Sequence, residues 1–313
     1  DASSFRISVR LSDLERGTLL WSGAYDALHS SPLAIRDEIT SLIAGALMVK
    51  VVDAEAVAST RRADPDKGAY DFVLRGRSLM SRLTRVSNSE ARKAFERAIE
   101  LDPRHSDAYV GLGRTDLSAV AMGWTAYPSE ALDRAEALAR KAIEIEESNP
   151  AGHVLLGRTH ARRSQYDRAL DAMRRAVSLN PSNPNSHAGL GDVLLWSGEP
   201  EAAIRSLETA LTMDAGLSAE DMFSLGMAYL LGNRAVDCMR IAQRLVDRNE
   251  ANGFTFAILA AAYAELGLTN EAATAAARTR EAMPFFDSGK FGTLIRNPTM
   301  RDNLLLHLKA AGL

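Results

Sequence analysis

The amino-acid sequence predicts a mostly helical protein: an α-solenoid of about six helix pairs, preceded by a partial α/β module. The first observation is a period, because Gly157 to Gly191 and Gly226 to Ala260 are both steps of 34 residues. The second is that small residues recur at fixed places within each period, with larger apolar residues between them. Such a pattern is typical of stacked helix pairs that approach closely. The third is a short alternation of apolar and polar residues near the start, which indicates strands.

The register of the repeats can be followed through the second helix of each unit. An alanine stands twelve residues after the small residue in three units: Gly157–Ala169, Gly191–Ala203 and Ala260–Ala272. Pro181 and Pro284 then follow the second helix, which proline cannot continue. We expect the small residues to lie where neighbouring helices touch, since only they let two backbones come together.

This pattern resembles the tetratricopeptide repeat. Extended outward from the clearest units, the predicted array covers residues 69–284. The remainder is predicted as a partial α/β module over 1–58, a linker over 59–68, and C-terminal capping helices over 285–313. The second unit departs from the pattern, because Gly113 to Gly157 is ten residues too long. We interpret the excess as an inserted loop that carries Trp124 and Tyr127.

The residues before the array predict a β-hairpin and a helix. Apolar Phe5, Ile7, Val9 and Leu11 alternate with polar residues, and the run TLLWSGAY also favours a strand. A helix with one apolar face is expected after Pro32. Two strands and one helix bury little on their own, so the exposed strand edge could pair with a second copy of the chain.

This module is similar to the one that precedes tetratricopeptide repeats in bacterial class III adenylate and guanylate cyclases and in some winged-helix transcriptional regulators. The matching residues are Leu20, Trp21, Tyr25, Asp26, Asp37, Glu38 and Ile39. The resemblance implies the regulatory region of a larger bacterial signalling protein such as a cyclase. Two alternatives stay open: the effector region of a winged-helix regulator, and a small-molecule sensor with the Trp124 loop as a lid.

Composition is typical of a cytoplasmic globular protein. The 313 residues are 46% hydrophobic and 25% charged, with a formal net charge of −3, which implies neither nucleic acid nor an anionic membrane as a partner. The apolar stretches are too short for membrane insertion. The single cysteine, Cys238, excludes an internal disulfide and is expected at a close-packed helix position.

No enzyme class is indicated. The sequence lacks the glycine-rich phosphate loops, the GxSxG nucleophile turn and the HExxH zinc motif. His153 and His160 are seven residues apart on one predicted helix, but no carboxylate or cysteine stands at a spacing that would complete a metal site. We therefore predict a non-catalytic protein without a cofactor or metal.

The resemblance to tetratricopeptide repeats implies a concave surface lined by the first helix of each pair. The family's inward positions fall on Arg77, Arg114, Arg158 and Arg162 in the first three repeats, and on Asp192, Leu195, Trp196, Phe223, Met227, Leu230 and Leu231 in the next two. These residues predict a partner protein or peptide segment with acidic residues toward one end and apolar residues toward the other. The alternative is that the arginines only add solubility and that C-terminal helices from Phe285 onward cover the apolar set.

Overall fold

The computed structural model describes residues 5–13, 18–27, 68–82, 84–214, 216–293 and 295–313. The chain divides into two compact units. The first comprises Asp1–Arg163 with Arg175–Pro184, and the second comprises Ser164–Arg174 with Asn185–Leu313.

An antiparallel hairpin begins the first unit. Strand β1 (Phe5–Asp13) pairs with β2 (Thr18–Ala27), with Phe5 opposite Ala27 and a register shift at Leu11/Ser12. The helix predicted after Pro32 lies outside the described residues, so the α/β module as a whole stays a prediction. Self-association through the edge of β1 also stays a prediction.

The described residues after the hairpin are helical, as predicted. The first unit contains α1 (Ala69–Met80), α2 (Arg85–Leu101), α3 (Ser106–Ala121), α4 (Pro128–Ile145) and α5 (Pro150–Arg162). The next helix, α6 (Tyr166–Leu179), has its first nine residues in the second unit.

The second unit continues with α7 (Pro184–Ser197), α8 (Pro200–Met213), α9 (Ala219–Leu231), α10 (Ala235–Asp247), α11 (Gly253–Glu265) and α12 (Thr269–Ala282). The chain ends with the short α13 (Ser288–Gly292) and with α14 (Pro298–Ala310). Helices α1 to α12 form six successive two-helix repeats, and we call the first helix of each repeat its A helix and the second its B helix.

Polar residues at the helix starts fix several of these boundaries. The side chains of Asn149, Ser218, Asn252 and Asn297 each accept a hydrogen bond from a backbone amide in the first turn of the helix that follows. These bonds satisfy amides that have no partner within the helix itself.

The ten extra residues of the second repeat are distributed differently from the prediction. Helices α3 and α4 have 16 and 18 residues, against 13 and 14 in α5 and α6. Most of the excess therefore lengthens the two helices, and only the remainder enlarges the turn at 122–127. The predicted inserted loop is wrong to that extent, because its last residues, from Pro128 onward, form the start of α4.

Two glycines of the first unit allow the side chain of Phe95 to pack between α1 and α3. The ring of Phe95 on α2 is fully buried, and it lies over Gly76 of α1 and Gly111 of α3. A Cβ atom at Gly76 would come within 2.5 Å of that ring, and one at Gly111 within 2.2 Å. Any larger residue at either position would therefore displace the ring that joins the first repeat to the second.

A buried carboxylate also joins these two repeats. Asp116 of α3 is 1% exposed, and its Oδ1 forms an ion pair with Arg92 of α2 at 2.5 Å and accepts a hydrogen bond from Arg134 Nη2 of α4 at 2.8 Å. Its Oδ2 has no hydrogen-bond partner among the described residues. Removing one partner of such a pair is costly, since it leaves a buried charge uncompensated.

Gly111→Ala tests the close approach at Phe95. We expect the variant to lower the free energy of unfolding by about 1–3 kcal/mol, because the added methyl overpacks the ring, although alanine is the better helix former. In a Phe95→Leu background the overlap disappears, and Gly111→Ala should become neutral or stabilising. Urea denaturation of the four chains measures this coupling, and an equal cost in both backgrounds would contradict the packing account.

His153 of α5 gives a second test, through pH. Its Nε2 is buried with no hydrogen-bond partner among the described residues. Burial lowers the pKa of His153, opposed by a hydrogen bond to the Glu147 backbone and assisted by repulsion from Arg175. The imidazole of His153 is therefore protonated near pH 6.5 in the unfolded chain but stays neutral at that pH in the folded chain. The free energy of unfolding should fall as the pH drops below that value.

The measurement is the urea midpoint of the wild-type chain and of His153→Gln between pH 7.5 and 5.5. Glu136 does not titrate within this window. Its pKa is lowered below 4.5, chiefly by the hydrogen bond that its carboxylate accepts from Arg140. The difference between the two chains should change across the window, with the wild type losing more stability toward acid. Parallel curves would show that His153 does not titrate on folding.

Candidate functional site

The A helices of the first unit place an arginine at the same register position. Arg77, Arg114 and Arg158 each directly follow the glycine of their repeat, and Arg162 stands one helical turn after Arg158. Because the preceding glycine lies against packed side chains, as Gly113 does against Leu155, the next residue is turned away from that contact. Arg114 and Arg162 are exposed, and Arg77 and Arg158 are half-buried.

Arg77 holds a carboxylate of the chain itself. Arg77 Nη2 donates to Asp107 Oδ2 at 2.8 Å, and both side chains are 31% exposed. Asp107 Oδ1 also accepts from Asn149 Nδ2 at 3.1 Å, and Asn149 donates to Ser106 at 2.9 Å. The polar positions of α1, α3 and the start of α5 are thus linked into one network, which is the kind of surface that recognises a carboxylate by paired hydrogen bonds.

The same register position changes chemistry in the second unit. It is Asp192 in α7, Met227 in α9 and Ala261 in α11. Asp192 Oδ1 accepts from Trp196 Nε1 at 2.9 Å and from Ser224 at 2.8 Å, so this carboxylate joins α7 to α9. Trp196 is half-buried, with its indole N–H held by Asp192.

Most of the apolar residues predicted to line the groove are core. Met227 is fully buried, and Leu230, Leu195 and Leu231 are 4%, 2% and 7% exposed. Helix α14 packs on α9 and α11, and Leu230 and Leu231 line a crevice together with its residues Met300 and Leu304. These four side chains are therefore buried in the described structure. For Leu230 and Leu231, the arrangement matches the alternative in which C-terminal helices cover the apolar set.

Phe223 belongs to an aromatic cluster that sequence reasoning missed. Its ring centroid lies 6.5 Å from that of Phe254, which lies 5.6 Å from Phe291 and 6.5 Å from Phe286. The run PFFDSGKF after the last repeat was the available signal, because three phenylalanines within seven residues are unusual for a terminal segment that only adds solubility.

The described residues contain little that could perform catalysis. Cys238 is fully buried, and burial raises the pKa of its thiol, so it stays protonated and inert. Groups of three or more histidine, cysteine, aspartate or glutamate side chains suited to a metal do not occur among the residues that the structure describes. In the turn after α3, the Trp124 amide donates to Ala119 O at 2.8 Å, and the side chain of Tyr127 is exposed. Across the described ranges, helices long and apolar enough to cross a membrane are absent.

Two family models described as tetratricopeptide repeat match the chain, one over residues 160–220 and the other over 84–117 and 120–184. Over 155 residues the chain is 32% identical to "Putative adenylate cyclase 3" of Rhizobium meliloti (strain 1021). That match covers 50% of this chain but only 26% of the relative, so the chain spans about a quarter of the relative's length.

Solved structures show the same fold. The APC/C hetero-tetramer Cut9-Hcn1 matches with a TM-score of 0.61 and 16% identity, over 83% of this chain and 47% of that chain. The pilF protein of Pseudomonas aeruginosa matches with a TM-score of 0.53 and 15% identity, over 70% and 93%. The repeat register, the six helix pairs and these matches agree that the chain contains tetratricopeptide repeats, which the family models match between residues 84 and 220.

Proposed function

We propose that this chain is a non-catalytic regulatory scaffold that binds an acidic segment of a partner protein along the A helices of its first unit. The observation that carries the proposal is the row of arginines, one at the same register position in each of α1, α3 and α5. A row spaced by the repeat suits an extended or helical segment that crosses successive A helices. We call Arg77, Arg114, Arg158 and Arg162 the arginine row.

The chemistry of the row favours carboxylates. Guanidinium groups present several donors in a fixed plane, which match the two oxygens of a carboxylate and stay charged at every relevant pH. The Arg77–Asp107 pair has this arrangement within the chain itself. An incoming Asp or Glu could add to or replace Asp107 there, since the pair is partly exposed and an exposed ion pair contributes little stability of its own.

The parent protein is proposed to be a bacterial signalling protein of the nucleotide-cyclase type, acting in the cytoplasm. Support comes from the relative named as an adenylate cyclase and from the resemblance of the residues before the repeats. In that setting the repeats would recruit a regulator, while any nucleotide chemistry would belong to other parts of the protein. The effector region of a winged-helix regulator is the alternative, and the same partner surface would serve it.

Charge reversal in the arginine row tests the proposal. We expect Arg158→Glu combined with Arg162→Glu to weaken binding of acidic peptides by about 10- to 100-fold and to reduce its salt dependence, because the favourable charge pairs are lost. The matched control is Arg168→Glu with Arg174→Glu, which makes the same change of charge at two exposed positions on α6, the B helix of that repeat.

The probe is a random-sequence peptide display library, selected in parallel on the wild-type chain and on both variants. Peptides that bind the wild type and the control should be enriched in Asp and Glu, and that enrichment should vanish on the row variant. Equal enrichment on all three chains, or enrichment without acidic residues, would overturn the proposal.

A further inference from the structure

The C-terminal segment, residues 285–313, turns back over the repeats instead of continuing their stack. It begins beside the start of α11, where the side chain of Met283 lies against Gly253. The rings of Phe286 and Phe291 then pack on Phe254 of α11. The backbone bonds of this stretch are local, as in the bond from the Phe286 amide to Met283 O.

From there the segment reaches the fourth repeat and beyond. A Cβ atom at Gly198, which follows α7, would lie 4.0 Å from that of Asn297. The guanidinium of Arg296 lies 5.8 Å from the ring centroid of Tyr166 on α6. A segment that only capped the sixth repeat would not need to contact α6 and α7, which belong to the third and fourth repeats.

Helix α14 then returns toward the last repeat along the ends of the A helices. It packs on α9 and α11, and a crevice at this contact is lined by Leu230, Leu231, Glu265, Met300, Leu304 and His307. His307 Nε2 lies 4.0 Å from a Glu265 oxygen. Ala311 finally joins the apolar cluster of the sixth repeat.

The A helices under this segment are apolar where those of the first unit are charged. Helix α11 reads GFTFAILAAAYAE, and its eight consecutive residues from Thr255 to Ala262 are all buried. A helix that is apolar all round requires a cover on every side. The surface of α9 and α11 is therefore suited to an apolar occupant, and residues 285–313 occupy it.

We propose that the C-terminal segment is an exchangeable intramolecular ligand of the surface formed by α9 and α11. The site takes an apolar segment with two aromatic side chains spaced like Phe286 and Phe291, followed by an amphipathic helix. A partner segment of that chemistry would bind by displacing residues 285–313. This inference does not rest on the arginine row, which lies in the first unit.

The contacts between the segment and the repeats are ones that another apolar segment could also make. Among the hydrogen bonds of the described residues, the one that links them is donated by Arg280 to the Gly312 carbonyl, and the others within 285–313 are internal. Ring contacts, aliphatic packing and the His307–Glu265 contact at 4.0 Å provide the rest, as in a helix that lies in a groove. Phe254 remains 39% exposed in the aromatic cluster, so the cover is incomplete.

Hydrogen exchange on the wild-type chain is the first test, and it requires no variant. An exchangeable ligand opens while the sixth repeat stays folded, so the amides of α14 should exchange at least tenfold faster than the buried amides of α11 and α12. A fixed cap opens only together with the repeat that it covers. Equal protection of α14 and α11 would overturn the proposal.

Peptide binding to the full chain is the second test. The probe is a fluorescent synthetic peptide of residues 283–313, and the full-length variant is Phe286→Ala with Phe291→Ala, which weakens the internal ligand. The variant should bind the peptide at least tenfold more tightly than the wild type, since the tethered copy no longer competes. Phe285→Ala is the matched control, because Phe285 is 97% exposed whereas Phe291 is 5% exposed, and it should bind like the wild type.

A peptide with both alanines should bind none of the chains. Equal peptide binding by the wild type and the double variant, or binding by neither when both are folded by circular dichroism, would overturn the proposal. If the double variant does not fold, the proposal is tested by the amide exchange rates of α14 and α11 in the wild-type chain. Because acidic display peptides report on the arginine row and this peptide reports on α9 and α11, the two proposals can fail separately.

Discussion

The structure depends on the close approach of helices at small residues. Gly76 and Gly111 admit the ring of Phe95, Gly113 admits Leu155, and Gly191 admits Leu207. A Cβ atom at each of these four glycines would fall within about 2.5 Å of the neighbouring side chain, far inside van der Waals contact. The 34-residue period therefore follows from a steric constraint. A small residue must recur in the A helices because a large side chain of a neighbouring helix packs directly against it.

That constraint also explains why one position beside the glycine decides the chemistry of each repeat. The glycine faces the packed neighbour, so the following residue points elsewhere and is free to vary. It is arginine in three repeats of the first unit, whereas it is Asp192, Met227 and Ala261 in the next three. The repeat scaffold thus stays constant while the residue at this position changes from charged to apolar.

The repeat architecture was predictable from the sequence because its cause is local and periodic. Small residues at a fixed step, prolines after B helices and asparagine or serine caps such as Asn252 all act within a few residues of themselves. The arrangement of the ten extra residues in the second repeat was not predictable, since a helix extension and a loop insertion change the spacing of Gly113 and Gly157 equally. The return of residues 285–313 over α11 depends on contacts between residues about forty apart, such as Phe254 and Phe291. The 34-residue periodicity of the sequence does not predict such contacts.

The central claim is that the A helices differ between the units: those of the first unit carry the arginine row proposed to bind a partner, and α9 and α11 of the second are covered by the chain's own C-terminal segment. The most direct measurement replaces Phe254 with the photo-crosslinking residue p-benzoylphenylalanine and maps the crosslinks of the monomeric chain by mass spectrometry. The account predicts intramolecular crosslinks to the stretch around Phe286 and Phe291, whose rings lie within 6.5 Å of Phe254. Crosslinks that reach only the neighbouring repeat helices, with none to residues 285–297, would contradict it.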